Sequence, residues 1–92
     1  VTGINIKLSK CGGIRQAFDM IRLARNLGLQ VMLGCMVETS VGISAIAQLA
    51  PVADYVDLDG HLLLADDPFT GPVLRDGVVS PPDRPGLGIG RA

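Results

Sequence analysis

Three short polar clusters interrupt an apolar chain, and each holds residue types that do chemistry: Asn5 and Lys7, then Cys35-Met36-Val37-Glu38, then Asp57-Leu58-Asp59. A lysine held away from bulk water takes up and returns protons readily, which suits acid/base work. Every candidate also has an ordinary structural use. Lys7 is as readily a surface residue as a functional one, and Lys10 reads as surface. Asp57 and Asp59 could cap turns, since Asp before Gly60 favours an Asx turn. Glu38 could support a helix start, where a carboxylate meets the positive end of the dipole. Cys35 reads as a small buried hydrophobe rather than a nucleophile, because no His lies nearby in sequence. His61 stands alone and is expected at the surface. Gly12-Gly13 matches neither a P-loop nor GxGxxG in its surroundings, so these are turn residues.

The elements that must position these clusters follow from periodicity. Residues 3–8 alternate, with Ile4, Ile6 and Leu8 on one face and Asn5 and Lys7 on the other, which predicts a strand. Ile14, Ala17, Phe18, Ile21, Ala24 and Leu27 recur at helical spacing, and Gly28 sits where a helix end takes the left-handed conformation. A second strand is expected over 29–34. A second helix follows, capped by Thr39 or Ser40, and runs to about Ala50 before Pro51. Residues 54–58 predict a third strand with Tyr55 and Asp57 on one face.

The order β-α-β-α-β implies parallel strands joined by crossovers. In such folds functional side chains gather where strands end, which is where all three clusters lie. Lys7 and Asp57 then face away from the helices, toward a barrel interior or crevice, a costly place for charge unless it is paired or functional. After Asp59 the pattern breaks. Asp76-Gly77 between Val73-Leu74 and Val78-Val79 predicts a hairpin turn. The Pro- and Gly-rich stretch 81–88 predicts an extended tail over another layer.

Hydrophobic residues make up 48% of the 92 residues and aromatics only 3%, with a mean hydropathy of +0.41. Small aliphatics must therefore do the packing, as in α/β layers covered on both faces. The net charge of −1 and the lack of a basic stripe argue against a nucleic-acid partner. Cys11 and Cys35 form no disulfide framework and no CxxC, so a reducing cytoplasm is the expected location. No apolar run approaches the roughly 20 residues of a membrane span, so no membrane partner is expected. The start at Val1 without a Met is read as lost upstream sequence.

Three runs in order and spacing carry a resemblance: Ile4-Asn5-Ile6-Lys7-Leu8-Ser9-Lys10-Cys11-Gly12-Gly13, Gly34-Cys35-Met36-Val37-Glu38-Thr39, and Asp54-Tyr55-Val56-Asp57-Leu58-Asp59-Gly60. The likeness continues through Leu62 to Phe69 and Pro85 to Gly88. Together they resemble the dipeptide epimerases of the enolase superfamily, the L-Ala-D/L-Glu epimerase kind. The resemblance implies an α/β fold, the C-terminal part (strands six to eight) of a modified (β/α)7β TIM-like barrel. Residues 1–65 would be the partial barrel, and residues 66–92 a loop, hairpin and tail packing toward a capping domain.

It further implies an isomerase working by 1,1-proton transfer at an α-carbon next to a carboxylate, with a dipeptide as the small-molecule partner. Lys7 matches one of two acid/base lysines, the other lying upstream of this chain. Asp57 and Asp59 match an Asp-x-Asp that holds the dipeptide ammonium, two carboxylates offering opposite charge and several acceptors to its three donors. Cys35, Met36 and Glu38 resemble pocket lining. The cofactor implied is Mg²⁺, which stabilises the enediolate formed beside the carboxylate. Its ligands are expected in missing upstream sequence, and none is assigned here. The fragment is expected to be inactive alone, and a homo-oligomeric full-length enzyme is compatible with it. Muconate cycloisomerases and o-succinylbenzoate synthases share the lysine, but they need no ammonium anchor. A non-catalytic α/β module would use the same charges only to cap turns.

Overall fold

In the computed structural model, which describes residues 1–92, the three alternating segments form one parallel sheet in chain order. Its strands are β1 (Gly3–Ile6), β2 (Gln30–Leu33) and β3 (Tyr55–Val56). Asn5 pairs with Met32, and Met32 with Tyr55; Ile6 pairs with Leu33, and Leu33 with Val56. The register therefore places the two faces predicted from alternation side by side across all three strands.

Between them run α1 (Leu8–Cys11), α2 (Ile14–Asn26) and α3 (Ser40–Ala47). Ala17, Ile21 and Ala24 of α2 and Ile43, Ile46 and Ala47 of α3 join Ile6, Val31 and Leu33 in a single core. Both long helices thus cover the same face of the sheet. Gly28 follows α2 at φ 71°, ending it as its position predicts.

Every strand is shorter than its alternation suggests. Residues 3–8 were expected to be extended, but Leu8–Cys11 forms a single helical turn, because Lys10 and Cys11 both donate backbone N–H bonds to the Lys7 carbonyl. The third strand begins at Tyr55 rather than Asp54, whose carboxylate is engaged elsewhere. It accepts the Arg25 guanidinium at 2.6 Å and the Val31 N–H at 2.7 Å, and these bonds hold the carboxyl below its ordinary value of 3.8. Arg25 also donates to the Val52 carbonyl at 2.9 Å, so one side chain pins the last turn of α2 to the entry of β3. The second helix stops at Ala47 instead of about Ala50, and a 3₁₀ turn over Ala50–Val52 contains Pro51.

Beyond β3 a 3₁₀ turn covers Gly60–Leu63. It brings His61 inside, only 8% exposed, which corrects the surface placement expected of it. Strand β4 (Phe69–Thr70) leads to the predicted hairpin, β5 (Val73–Arg75) and β6 (Val78–Ser80). Asp76 and Gly77 turn it with φ of 52° and 76°, the two positive values that a tight type I′ connection requires. The tail over 81–88 is not extended throughout, since Arg84 N–H donates to the Pro82 carbonyl at 3.0 Å and Gly88 N–H to the Pro85 carbonyl at 3.2 Å. Gly90–Arg91 forms β7, antiparallel to β4, and the buried Ser44 hydroxyl of α3 donates to the Leu87 carbonyl.

The other face of the sheet carries no helix. Tyr55, on that face, is 56% exposed. The chain exposes 5863 Å², against about 5,100 Å² for a compact domain of its mass.

Candidate functional site

The three polar clusters meet at one end of the sheet, just past the paired residues. Lys7 follows β1 with an extended backbone. Gly34 N–H donates to the Ile6 carbonyl at 2.8 Å, and Asp57 N–H to the Leu33 carbonyl at 2.9 Å. Lys7, Gly34 and Asp57 therefore stand abreast on three adjacent strand ends, on the face without helices. Two strand spacings put the Lys7 and Asp57 backbones roughly 10 Å apart.

Gly34 keeps that space open. A Cβ there would lie 2.6 Å from Asn5 Oδ1 and 3.2 Å from Lys7 Cε, so the Asn5 amide and the Lys7 stem both lean across β2 where a side chain would stand. Lys7 Nζ comes 3.8 Å from Met36 Sδ. That is a soft contact rather than an ion pair, and the chain's salt bridges, Arg15–Asp19 and Arg25–Asp54, do not involve it.

The loop from Cys35 to Thr39 is fastened to the segment after β3. The Cys35 thiol donates to the Asp57 carbonyl at 3.3 Å. Gly60 sits against the Met36 carbonyl so closely that any Cβ would collide with it. Glu38 turns back on its own loop, accepting the Met36 N–H at 2.9 Å and lying against Gly42 in the first turn of α3. Glu38 thus braces its own loop, while Met36 and Val37 stay exposed.

Asp57 and Asp59 are exposed, and no side-chain hydrogen bond or ion pair engages either carboxylate. Asp59 does precede the 3₁₀ turn, but its side chain makes no cap bond there. The turn-capping use that sequence leaves open for it is not the one adopted. Asp57 and Asp59 also line a cleft of about 560 Å³ between β3 and the β5–β6 hairpin, with Val56, Leu62, Leu74 and Val78.

Asp67 is a residue that sequence reasoning missed. Thr39 occupies the N-cap position of α3 without a side-chain cap bond. The helix is capped instead from 27 residues away: Asp67 Oδ2 accepts the Ser40 N–H at 2.9 Å and the Ser40 hydroxyl at 2.6 Å. Asp67 Oδ1 accepts the Phe69 N–H at 3.0 Å. The Ser40 hydroxyl, these N–H groups and the nearby His61 hold the Asp67 carboxyl below its ordinary value of 3.8. The bond to Phe69 is a local Asx turn of the kind that Asp-Pro sequences favour, whereas the Ser40 pair leaves no sequence signal. His61 lies buried beside this carboxylate, its Nδ1 without a hydrogen-bond partner.

No three His, Cys, Asp or Glu side chains come together in a way that could hold a metal ion. No helix is long and apolar enough to cross a membrane.

Comparison with known proteins points the same way. The enolase C-terminal domain-like family matches residues 1–90. An L-Ala-D/L-Glu epimerase of Bacteroides thetaiotaomicron is 51% identical over 96% of this chain and 23% of its own length. A hydrophobic dipeptide epimerase of Roseobacter litoralis is 49% identical over 96% of this chain and 26% of its own. Among solved structures, a dipeptide epimerase from Methylococcus capsulatus complexed with Mg and the dipeptide L-Arg-D-Lys superposes with a TM-score of 0.86. It is 42% identical over 92% of this chain and 25% of its own. The chain thus spans about a quarter of the length of the curated relatives it matches. Because the matched region takes in the sheet, both crossover helices and all three strand-end clusters, this chain belongs to the enolase C-terminal domain-like family.

Proposed function

We propose that the chain is the C-terminal part of a metal-dependent dipeptide epimerase, supplying strands six to eight of a modified (β/α)7β barrel. Residues 1–65 then belong to the barrel, and residues 66–92 are the loop, hairpin and tail that lead toward a capping domain. The observation that carries this reading is the row Lys7–Gly34–Asp57 on three adjacent strand ends, a lysine without a carboxylate partner and an aspartate without a cation, with a glycine between them.

In this arrangement the Asp57 and Asp59 carboxylates bind the ammonium of a dipeptide through its N–H donors, fixing the neighbouring residue toward Lys7. The Lys7 amine takes the α-proton from one epimer, the C–H electrons pass into the adjacent carboxylate, and an acid outside this chain returns a proton to the opposite face. In the reverse direction the Lys7 ammonium donates. Cys35, Met36 and Glu38 shape the wall beside them, Cys35 and Glu38 through the loop and Met36 by direct contact with Lys7. The residues present do not make a metal site of their own, so a magnesium ion of the kind held by the Methylococcus relative is assigned to ligands outside these 92 residues.

The test is Lys7→Ala in the complete enzyme, followed in deuterated solvent. Loss of general acid/base catalysis by one residue removes roughly 10²- to 10⁴-fold, so epimerisation should disappear. The α-hydrogen of one epimer should still exchange through the opposite acid, while the other epimer stops exchanging. Equal exchange from both epimers, or near-normal epimerisation, would make Lys7 a bystander and return Lys10 to consideration.

A further inference from the structure

We infer that Asp67 is a positioning residue for the ammonium-binding side of the site, an inference that rests on the dipeptide reading above. Two loops build that side: Cys35 to Thr39, which carries Met36 and Glu38, and the segment that leaves Asp59. They touch directly at only a few points, the Cys35 thiol on the Asp57 carbonyl and Gly60 against the Met36 carbonyl. Thr39 leads straight into Ser40, the first residue of α3, and Asp59 leads straight into the 3₁₀ turn that holds His61.

Asp67 closes this loop pair from behind. Its carboxylate takes both donors of Ser40 on one oxygen and the Phe69 N–H on the other. The start of α3 is thereby tied to the chain that returns from Asp59, in place of the cap that Thr39 does not supply. His61, buried in the turn between, lies close enough that its charge favours the ionised carboxylate. These bonds are charge-assisted and fasten the start of α3 to the segment that follows the turn. With them cut, only the Cys35–Asp57 bond and the Gly60–Met36 contact hold the segment leaving Asp59 in place. The Asp59 carboxylate is then less firmly placed, and the ligand group that depends on it is the ammonium.

The experiment uses Asp67→Ala and Asp67→Asn in the complete enzyme, with KM and kcat for the preferred dipeptide and the inhibition constant of the same dipeptide N-acetylated. A weakened charge-assisted hydrogen bond to the bound ammonium costs on the order of 10- to 100-fold in binding. For D67A the KM should therefore rise roughly 10- to 100-fold while kcat falls by less than about threefold. The N-acetylated compound offers no ammonium, so its inhibition constant should stay within about twofold of wild type. D67N retains an acceptor for Ser40 and should recover most of the KM. Should D67A not accumulate as folded protein, Ser40→Ala removes a single donor and should raise KM by about two- to fivefold. An unchanged KM, an equal loss of affinity for both compounds, or an Asn no better than Ala would overturn the inference. Wild-type enzyme that turns over no dipeptide would remove the reading beneath it, which is a separate observation.

Discussion

Gly34→Ala is the perturbation whose outcome follows most directly from the structure. The added methyl would stand 2.6 Å from Asn5 Oδ1 and 3.2 Å from both Asn5 Nδ2 and Lys7 Cε, where ordinary contact begins at 3.4 Å. The Asn5 oxygen must therefore retreat by about 0.8 Å and the lysine stem by about 0.2 Å. Asn5 is exposed and can swing away, and the backbone at Gly34 is not left-handed. Losing a glycine's freedom in the unfolded chain even favours folding by about 0.4–1 kcal/mol, so stability should change little. The lysine amine, one bond beyond the displaced Cε, shifts by a few tenths of an ångström. For a proton transfer that needs near-attack geometry, this lowers kcat by roughly threefold to tenfold. Epimerisation of the preferred dipeptide by the complete enzyme, with a melting curve for each variant, reads both quantities. Gly28→Ala is the control. At φ 71° with nothing within 4 Å, it should cost about 1 kcal/mol of stability and leave kcat alone. The double change Asn5→Ala with Gly34→Ala should recover part of kcat by removing the obstructing amide. A Gly34→Ala enzyme with kcat within about twofold of wild type, or a Gly28→Ala enzyme equally impaired, would show that the glycine gap does not set the lysine's position.

Asp59→Asn in the complete enzyme should weaken dipeptide turnover by about tenfold or more, as expected for losing one charged acceptor of an ammonium, and leave metal binding intact; an unchanged kcat/KM for the best dipeptide would count against the ammonium role. Asp54 and Asp67 both lie below their ordinary 3.8 when folded, so the stability they contribute is complete above that value and drains away as the pH falls through their folded values. Their share of the acid loss in melting temperature should therefore fall below pH 3.8, so the Asp54→Asn, Asp67→Asn double variant of the complete enzyme should show a shallower drop there; an identical acid limb would contradict this. The isolated 92-residue chain should show no cooperative thermal transition as a monomer, because 5863 Å² is more surface than its mass should expose; a sharp transition in a species shown to be monomeric would refute it.

Which residues face which way was legible, because alternation depends only on local geometry. Ile6 and Leu33 buried and Asn5 and Lys7 on the opposite face follow from a period of two. Where strands stop was not legible. Lys7's carbonyl accepts two helical N–H bonds, and Asp54 is held by an arginine 29 residues away; propensity sees the first poorly and the second not at all. The same limit explains His61. Nothing in its neighbourhood of sequence says that a 3₁₀ turn will carry it inward beside Asp67. Asp67 was missed for the same reason, its partner Ser40 lying 27 residues away. The three clusters were legible as a candidate site because each follows a strand, but the openings at Gly34 and Gly60 needed coordinates, since a glycine that makes room looks like one that makes a turn.

The arrangement of helices bears on the closed barrel as well as on the site. Strands β1, β2 and β3 are neighbours in chain order, and α2 and α3 pack on the same face. An open doubly wound sheet would reverse its strand order and place helices on both faces, which requires apolar residues on both. Here the second face presents Asn5, Lys7, Gly34 and Asp57, residues that could not line a helix interface without stranding charge. A barrel is the parallel architecture that keeps every helix outside and lets strand-end polar groups converge over one rim. The residues that make this face a poor core are therefore the ones that the proposed site uses. On the proposed reading, the exposure of the chain by itself and its chemistry have a single cause: a sheet that expects the rest of a barrel, rather than a helical layer, across from Lys7.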